Sequence, residues 1–257
     1  MTDKAGGAAR STLSQRLGLA RHNLPGRFTL LLAAIFLLLV SQPAFSGHAY
    51  AESVATTTIS LVLLLALYAF RSTRIYFVIA LVLLFPSIGS RLVLLYTFNP
   101  TVELIGAIAA CLFLGVTVVA LVSRLFVVKS VTLDMISAAI CAYLLMGVTF
   151  AYAFAIVELR YPGSFSAALL QRPPVGHIAP LLASFHSLLY YSFVCLTTTG
   201  FGDISPLSGG ARSLSVMEAV FGQLFVAILI ARLVSLEVAQ SMREERKEFQ
   251  DDVRKIS

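Results

Sequence analysis

The chain has 257 residues, of which 58% are hydrophobic and only 12% charged, with a mean hydropathy of +0.88. Soluble domains run at roughly 45–50% apolar and about 25% charged, and one water-soluble core of this length could not bury so much apolar surface. An ordinary soluble enzyme is excluded, and lipid is the fitting solvent. The net charge of +6 does not mark a nucleic-acid surface, because the basic residues gather at the ends of hydrophobic runs, as membrane topology requires.

Taken in chain order, residues 1–27 form a basic leader carrying Lys4, Arg10, Arg16, Arg21 and Arg27. A spanning helix needs roughly 20 apolar residues. The stretches 28–46, 53–70, 75–96, 103–123, 133–157 and 212–236 read as six spans. Ala49-Tyr50-Ala51 after the first resembles a small-residue cleavage site, yet the leader and apolar run are long for a secretory signal. Pro86 predicts a kink in the third span. The segment 159–181, with Pro162, Pro173, Pro174, Pro180 and Gly176, predicts an outward loop. The apolar run 182–197 that follows is too short to cross and predicts a re-entrant helix. Beyond the sixth span the charged residues 241–257 predict a solvated cytoplasmic helix.

Arg71 and Arg74, Arg124 and Lys129, and Arg243, Arg246, Lys247, Arg254 and Lys255 follow the second, fourth and sixth spans. The positive-inside rule therefore places both termini in the cytoplasm and the re-entrant segment on the outer side of a cell membrane. Cys111, Cys141 and Cys195 lie in apolar runs and suit neither a disulfide framework nor a metal cluster. No Gly-rich phosphate loop, nucleophile motif or cofactor signature occurs, so no catalytic residues and no cofactor are expected.

The short apolar run ends in Thr197-Thr198-Thr199-Gly200-Phe201-Gly202-Asp203. A cation crossing lipid must exchange its water for rings of oxygen, and backbone carbonyls supply these without a full charge to trap the ion. Pointing successive carbonyls one way demands backbone angles closed to most L-residues, which Gly200 and Gly202 relieve. The Thr198 hydroxyl can add an innermost oxygen ring.

With these residues the sequence resembles the potassium-channel superfamily, whose filter reads Thr-x-Gly-Tyr/Phe-Gly followed by Asp. The match is Thr198 to Asp203, supported by the paired aromatics Tyr190-Tyr191 before it and by Gly222 after it, and it covers about 133–240. The resemblance implies an all-α membrane protein: six transmembrane helices, a re-entrant pore helix and a filter. Its domains would be 28–130, a four-helix sensor-like region, and 131–240, a pore domain. It further implies potassium held by the carbonyls of Thr198, Thr199, Gly200 and Phe201, with Gly202 and Asp203 toward the outer mouth. Because a potassium pore needs four such loops and the chain has one, a homotetramer in the lipid bilayer is implied.

Two departures from the family pattern stand out. Phe201 lacks the hydroxyl of a filter tyrosine, and Val194 stands where some bacterial channels carry a carboxylate, leaving Asp203 without an acidic partner.

Within the sixth span, Glu218 is an intramembrane carboxylate, costly and by default functional. It would either tune gating or be satisfied by pore-helix hydroxyls. Gly222 looks like the family's inner-helix hinge, and Gln223, Val226, Ile230 and Val234 recur at helical spacing as one candidate pore face. Arg232 is expected to snorkel to the interface. His177 and His186 near the outer mouth would be either pH sensors or hydrogen-bonded structural histidines. Residues 104–123 contain no Lys or Arg, so strong voltage gating is not expected. The reading is a passive potassium-selective channel. Its alternatives are a weakly selective cation channel, which the intact Gly200-Phe201-Gly202 opposes, and a subunit of a potassium uptake transporter, which a single motif opposes. A membrane enzyme finds no support, and any regulatory ligand is left open.

Overall fold

In lipid, every backbone polar group must find its partner inside the chain, so apolar runs of this length fold as helices. The computed structural model describes residues 27–44, 51–69, 74–94, 99–127, 132–166 and 180–256. Among them lie seven helices: α1 (Arg27–Ala44), α2 (Ala51–Ala69), α3 (Arg74–Leu94), α4 (Pro100–Val127), α5 (Leu133–Arg160), α6 (Pro180–Leu196) and α7 (Gly209–Ile256). The leader 1–26, Ala49 and Tyr50, Pro173, Pro174, Gly176 and His177 lie outside the described residues.

The starts of three helices are written locally. Asn99 Oδ1 accepts from Thr101 N (3.0 Å) ahead of Pro100, which opens α4 where its missing N–H costs nothing. Thr132 caps α5 by accepting from Met135 N (3.2 Å), with Asp134 in the first turn to complement the helix dipole. Ser208 Oγ accepts from Ala211 N (3.2 Å) at the head of α7.

Tyr76–Leu94, Pro100–Val127, Leu133–Arg160 and Gly209–Arg243 are long and apolar enough to cross a membrane. The described apolar stretches Phe28–Val40 and Thr57–Tyr68 are shorter, as is Phe185–Leu196 of α6. The third span continues as helix through Pro86. One expectation is corrected: the sixth span and the charged tail are not separate elements but one uninterrupted helix of 48 residues. No Gly or Pro follows Gly222, and the tail is rich in Glu, Arg and Lys, so nothing in the chain ends the helix.

α5 is the central post. It packs along α4, against α1 and against α6, while α3 lies along α4 and α6 nests between α5 and α7. Ala138, Ala139, Ala142, Ala151 and Ala155 are buried on it, and such small side chains let helix backbones approach closely. The α3–α4 contact is equally tight, since a Cβ at Gly106 would lie 2.0 Å from Ser90 Oγ. Cys141 Sγ reaches Phe28 O at 3.4 Å, tying α5 to α1. By contrast only 6% of the spanning part of α7 is buried, against 50% for α4 and 56% for α5. Among the described residues, α7 packs on its own chain through one stripe that includes Leu214, Phe225, Leu229, Leu233 and Leu236.

Candidate functional site

α6 stops because of what its last turn does with its orphan carbonyls. Thr198 N donates to Cys195 O (2.9 Å) and Thr199 N to Val194 O (3.0 Å). That crossed pair is a Schellman closure, which requires a left-handed residue at the position Thr198 holds. Thr198 indeed has φ +55°. For a β-branched residue this conformation costs roughly 1–2 kcal/mol, and glycine would avoid it. Gly200 (φ +61°) and Gly202 (φ +79°) follow, with Thr199 and Phe201 between them not in that region. Alternation of handedness at every second residue turns successive carbonyls toward one side, where a regular strand would point them to opposite sides. The glycines were legible in the sequence, and the threonine was not.

The segment is held from behind by partners on three helices. Tyr143 of α5 donates its hydroxyl to Leu196 O (3.3 Å). Gln223 Nε2 of α7 donates to Thr198 Oγ1 (3.2 Å). Thr197 Oγ1 donates to Phe193 O (2.7 Å), so the 2.8 Å contact between Thr197 and Thr199 hydroxyls takes its proton from Thr199. Gly222 permits the approach of α7, since a Cβ there would lie 2.4 Å from Leu196 O and 2.9 Å from Leu196 Cδ1. Its role visible here is close packing within an unbroken helix.

The paired aromatics divide their work. Tyr190 stacks parallel to Phe201, with centroids 6.4 Å apart, and its phenol lies near Asp203. The neighbour of Asp203 is thus a phenol, where the sequence offered no acid. Tyr191 is buried edge-on against Phe154 and Phe165. It donates to Ser215 Oγ (2.7 Å), whose own proton goes to Ala211 O.

Glu218 is fully buried with Oε1 against Ser192 Oγ, a hydroxyl that also lies 2.6 Å from Gly147 O and has a single proton to divide between the two. Its second oxygen, Oε2, has no partner among the described residues, so the Ser192 hydroxyl meets one of the two carboxyl oxygens. Val226, Ile230 and Val234 are exposed, as are Leu224 and Ile228, so burial does not single out their face.

Past the glycines, the chain is clamped to the C-terminal end of α5. Glu158 accepts from Gly163 N (2.8 Å) and Ser164 N (2.9 Å), and Ser164 O accepts from Leu207 N (2.7 Å). Sequence reasoning passed over Glu158. Its signal was an acid in the last turn of a helix, where the dipole disfavours one, just before Pro162-Gly163. Midway along α7, Arg232 meets backbone carbonyls of α4. Its guanidinium donates to Leu125 O (2.9 Å) and Phe126 O (2.6 Å) and lies 5.4 Å from the Phe126 ring centroid. It caps the orphan carbonyls of α4. Among the described residues, no cluster of His, Cys, Asp and Glu is arranged to hold a metal.

This assembly of pore-type helix, left-handed turn and long helix lies within residues 139–238, which match the family described as ion channel. That matched segment is about two fifths of the chain, and it is similar to the ion-channel family. The chain is also similar to a rice (Oryza sativa subsp. japonica) protein named two pore potassium channel c, 31% identical over 127 residues. That alignment covers 44% of this chain and 24% of the relative, so the chain spans about a quarter of that protein's length. No solved structure matches. The matched segment contains each of the positioning residues above, Tyr143, Glu158, Ser192, Glu218, Gln223 and Arg232 included.

Proposed function

We propose that four copies of this chain surround an axis in a cell membrane and pass K+ passively and selectively through a filter made by Thr198–Gly202. The observation that carries the reading is the alternating backbone at Thr198, Gly200 and Gly202, at the end of a helix too short to cross. Moving a bare monovalent ion into hydrocarbon costs tens of kcal/mol, so the pathway must replace water with fixed oxygens. Uncharged carbonyls do this and still let the ion leave, with ions displacing one another between adjacent sites. The tetramer is supported by the single motif, since a carbonyl filter needs four such loops, and the sparse burial of α7 leaves a face open to lipid or to further copies.

In this reading all six sequence spans cross, α6 dips in from outside, and both termini are cytoplasmic. The first four helices act without strong voltage sensing, since α4 carries Arg124 near its end and no other basic residue. Reconstituted protein should release K+ but not Na+ from loaded vesicles, and native mass measurement should give four copies. Equal release of both ions would favour a weakly selective cation channel on the same scaffold.

A further inference from the structure

α7 carries four polar side chains within its apolar stretch 214–234: Ser215, Glu218, Gln223 and Arg232. Polar groups at that depth are costly unless each has a partner. Ser215 serves Tyr191, Glu218 serves Ser192, and Arg232 caps α4. Gln223 alone among the four reaches the segment 198–202 itself, through Nε2 to Thr198 Oγ1.

Thr198 is also the place where the backbone is least comfortable, a threonine in a left-handed conformation that glycine would hold more cheaply. Strain of this kind persists where the side chain is needed. The side chain in question has a hydroxyl with two lone pairs and one proton. An amide donating to one lone pair fixes the rotamer and leaves the other lone pair for a cation. The α7 backbone beside Gln223 is set close to α6, because Gly222 lies against Leu196 with no room for a side chain.

We infer that Gln223 is a positioning residue for ion binding. Four Gln223 carboxamides form a ring beneath the Thr198 hydroxyls, orient those hydroxyls toward the axis, and thereby set the affinity of the innermost cation site. This deepens the proposed function and rests on it. The sites made by the carbonyls of Thr199, Gly200 and Phe201 do not depend on the amide, so selectivity and inner-site affinity become separable.

Ba2+ is the probe, since it nearly matches K+ in radius with twice the charge and blocks where hard oxygens hold it best. Block by internal Ba2+ and reversal potential are measured together on the full chain in bilayers. Gln223→Leu, of similar volume, is expected to weaken internal Ba2+ block at least tenfold and leave the reversal potential at its wild-type value. Thr198→Val, which removes the hydroxyl, should weaken block as much, and the double variant should do no more than Thr198→Val alone, as coupled residues behave in a mutant cycle.

Gln223→Glu is the second variant should Gln223→Leu fail to assemble. It keeps the reach, accepts from the Thr198 hydroxyl, adds charge, and should tighten block at least tenfold. Unchanged block in both Gln223 variants, or strictly additive effects with Thr198→Val, would overturn the inference and leave Gln223 a packing residue. A wild-type current that does not discriminate K+ from Na+ would instead overturn the proposed function beneath it.

Discussion

The two halves of the molecule treat polar side chains differently. In α3 and α4 these groups turn back on their own helix: Ser90 Oγ donates to Ser87 O, Thr117 Oγ1 to Phe113 O and Ser123 Oγ to Val119 O. In residues 139–238 Thr149 and Ser215 also bond back to their own helix, but further bonds cross between helices, from Tyr143 to Leu196, from Ser192 to Gly147 and Glu218, from Tyr191 to Ser215 and from Gln223 to Thr198. A self-satisfied hydroxyl makes a helix compatible with lipid and says nothing about its neighbours. A cross-helix bond specifies one arrangement, because its loss leaves a buried group unpaired at about 1–3 kcal/mol. The first half is built for tolerance and the second for register.

That contrast predicts a graded series of substitutions. The largest effect is expected at Gly200→Ala, where a Cβ has open space around it but φ is +61°. The roughly 1–2 kcal/mol penalty per subunit falls on the carbonyl ladder itself, and K+ current should be lost while the protein still assembles. Gly222→Ala comes next. Its Cβ would meet backbone at Leu196 O, so α7 must shift at about 1–3 kcal/mol, measurable as a lower melting temperature together with altered conductance.

Glu218→Ala should destabilise by about 2 kcal/mol through the vacated space and a Ser192 hydroxyl with one partner fewer. Glu218→Gln, which keeps shape and acceptor, should stay within about 1 kcal/mol of wild type by thermal unfolding. Arg232→Gln uncaps α4 and should cost about 1 kcal/mol, with a larger change in open probability than in selectivity. Ser123→Ala in α4 should change stability by no more than about 0.5 kcal/mol. A large effect there would break the contrast between the halves.

The helices were legible because their cause is local. Apolar run lengths marked the helices, while Asn99-Pro100 and Thr132, which set two of their starts, went unread. Gly200 and Gly202 were legible for the same reason, since glycine announces unusual backbone in its own identity. Thr198 was not, because a β-branched residue ordinarily argues against positive φ, and the Schellman closure depends on where α6 ends. Gln223 appeared in the sequence only as one of several residues on a candidate face. Its bond to Thr198 depends on the rotation of α7 against α6, which no spacing within α7 encodes. Arg232 was read as an interfacial anchor because its partners are backbone carbonyls, which leave no trace in residue identity.

The account's central claim is that Thr198–Gly202 hold oxygens in a geometry fitted to K+. The measurement that tests it most directly is the reversal potential of the full chain in a planar bilayer under opposed K+ and Na+ gradients. The account predicts reversal near the K+ equilibrium potential in the wild type. A wild-type current reversing near zero would contradict it.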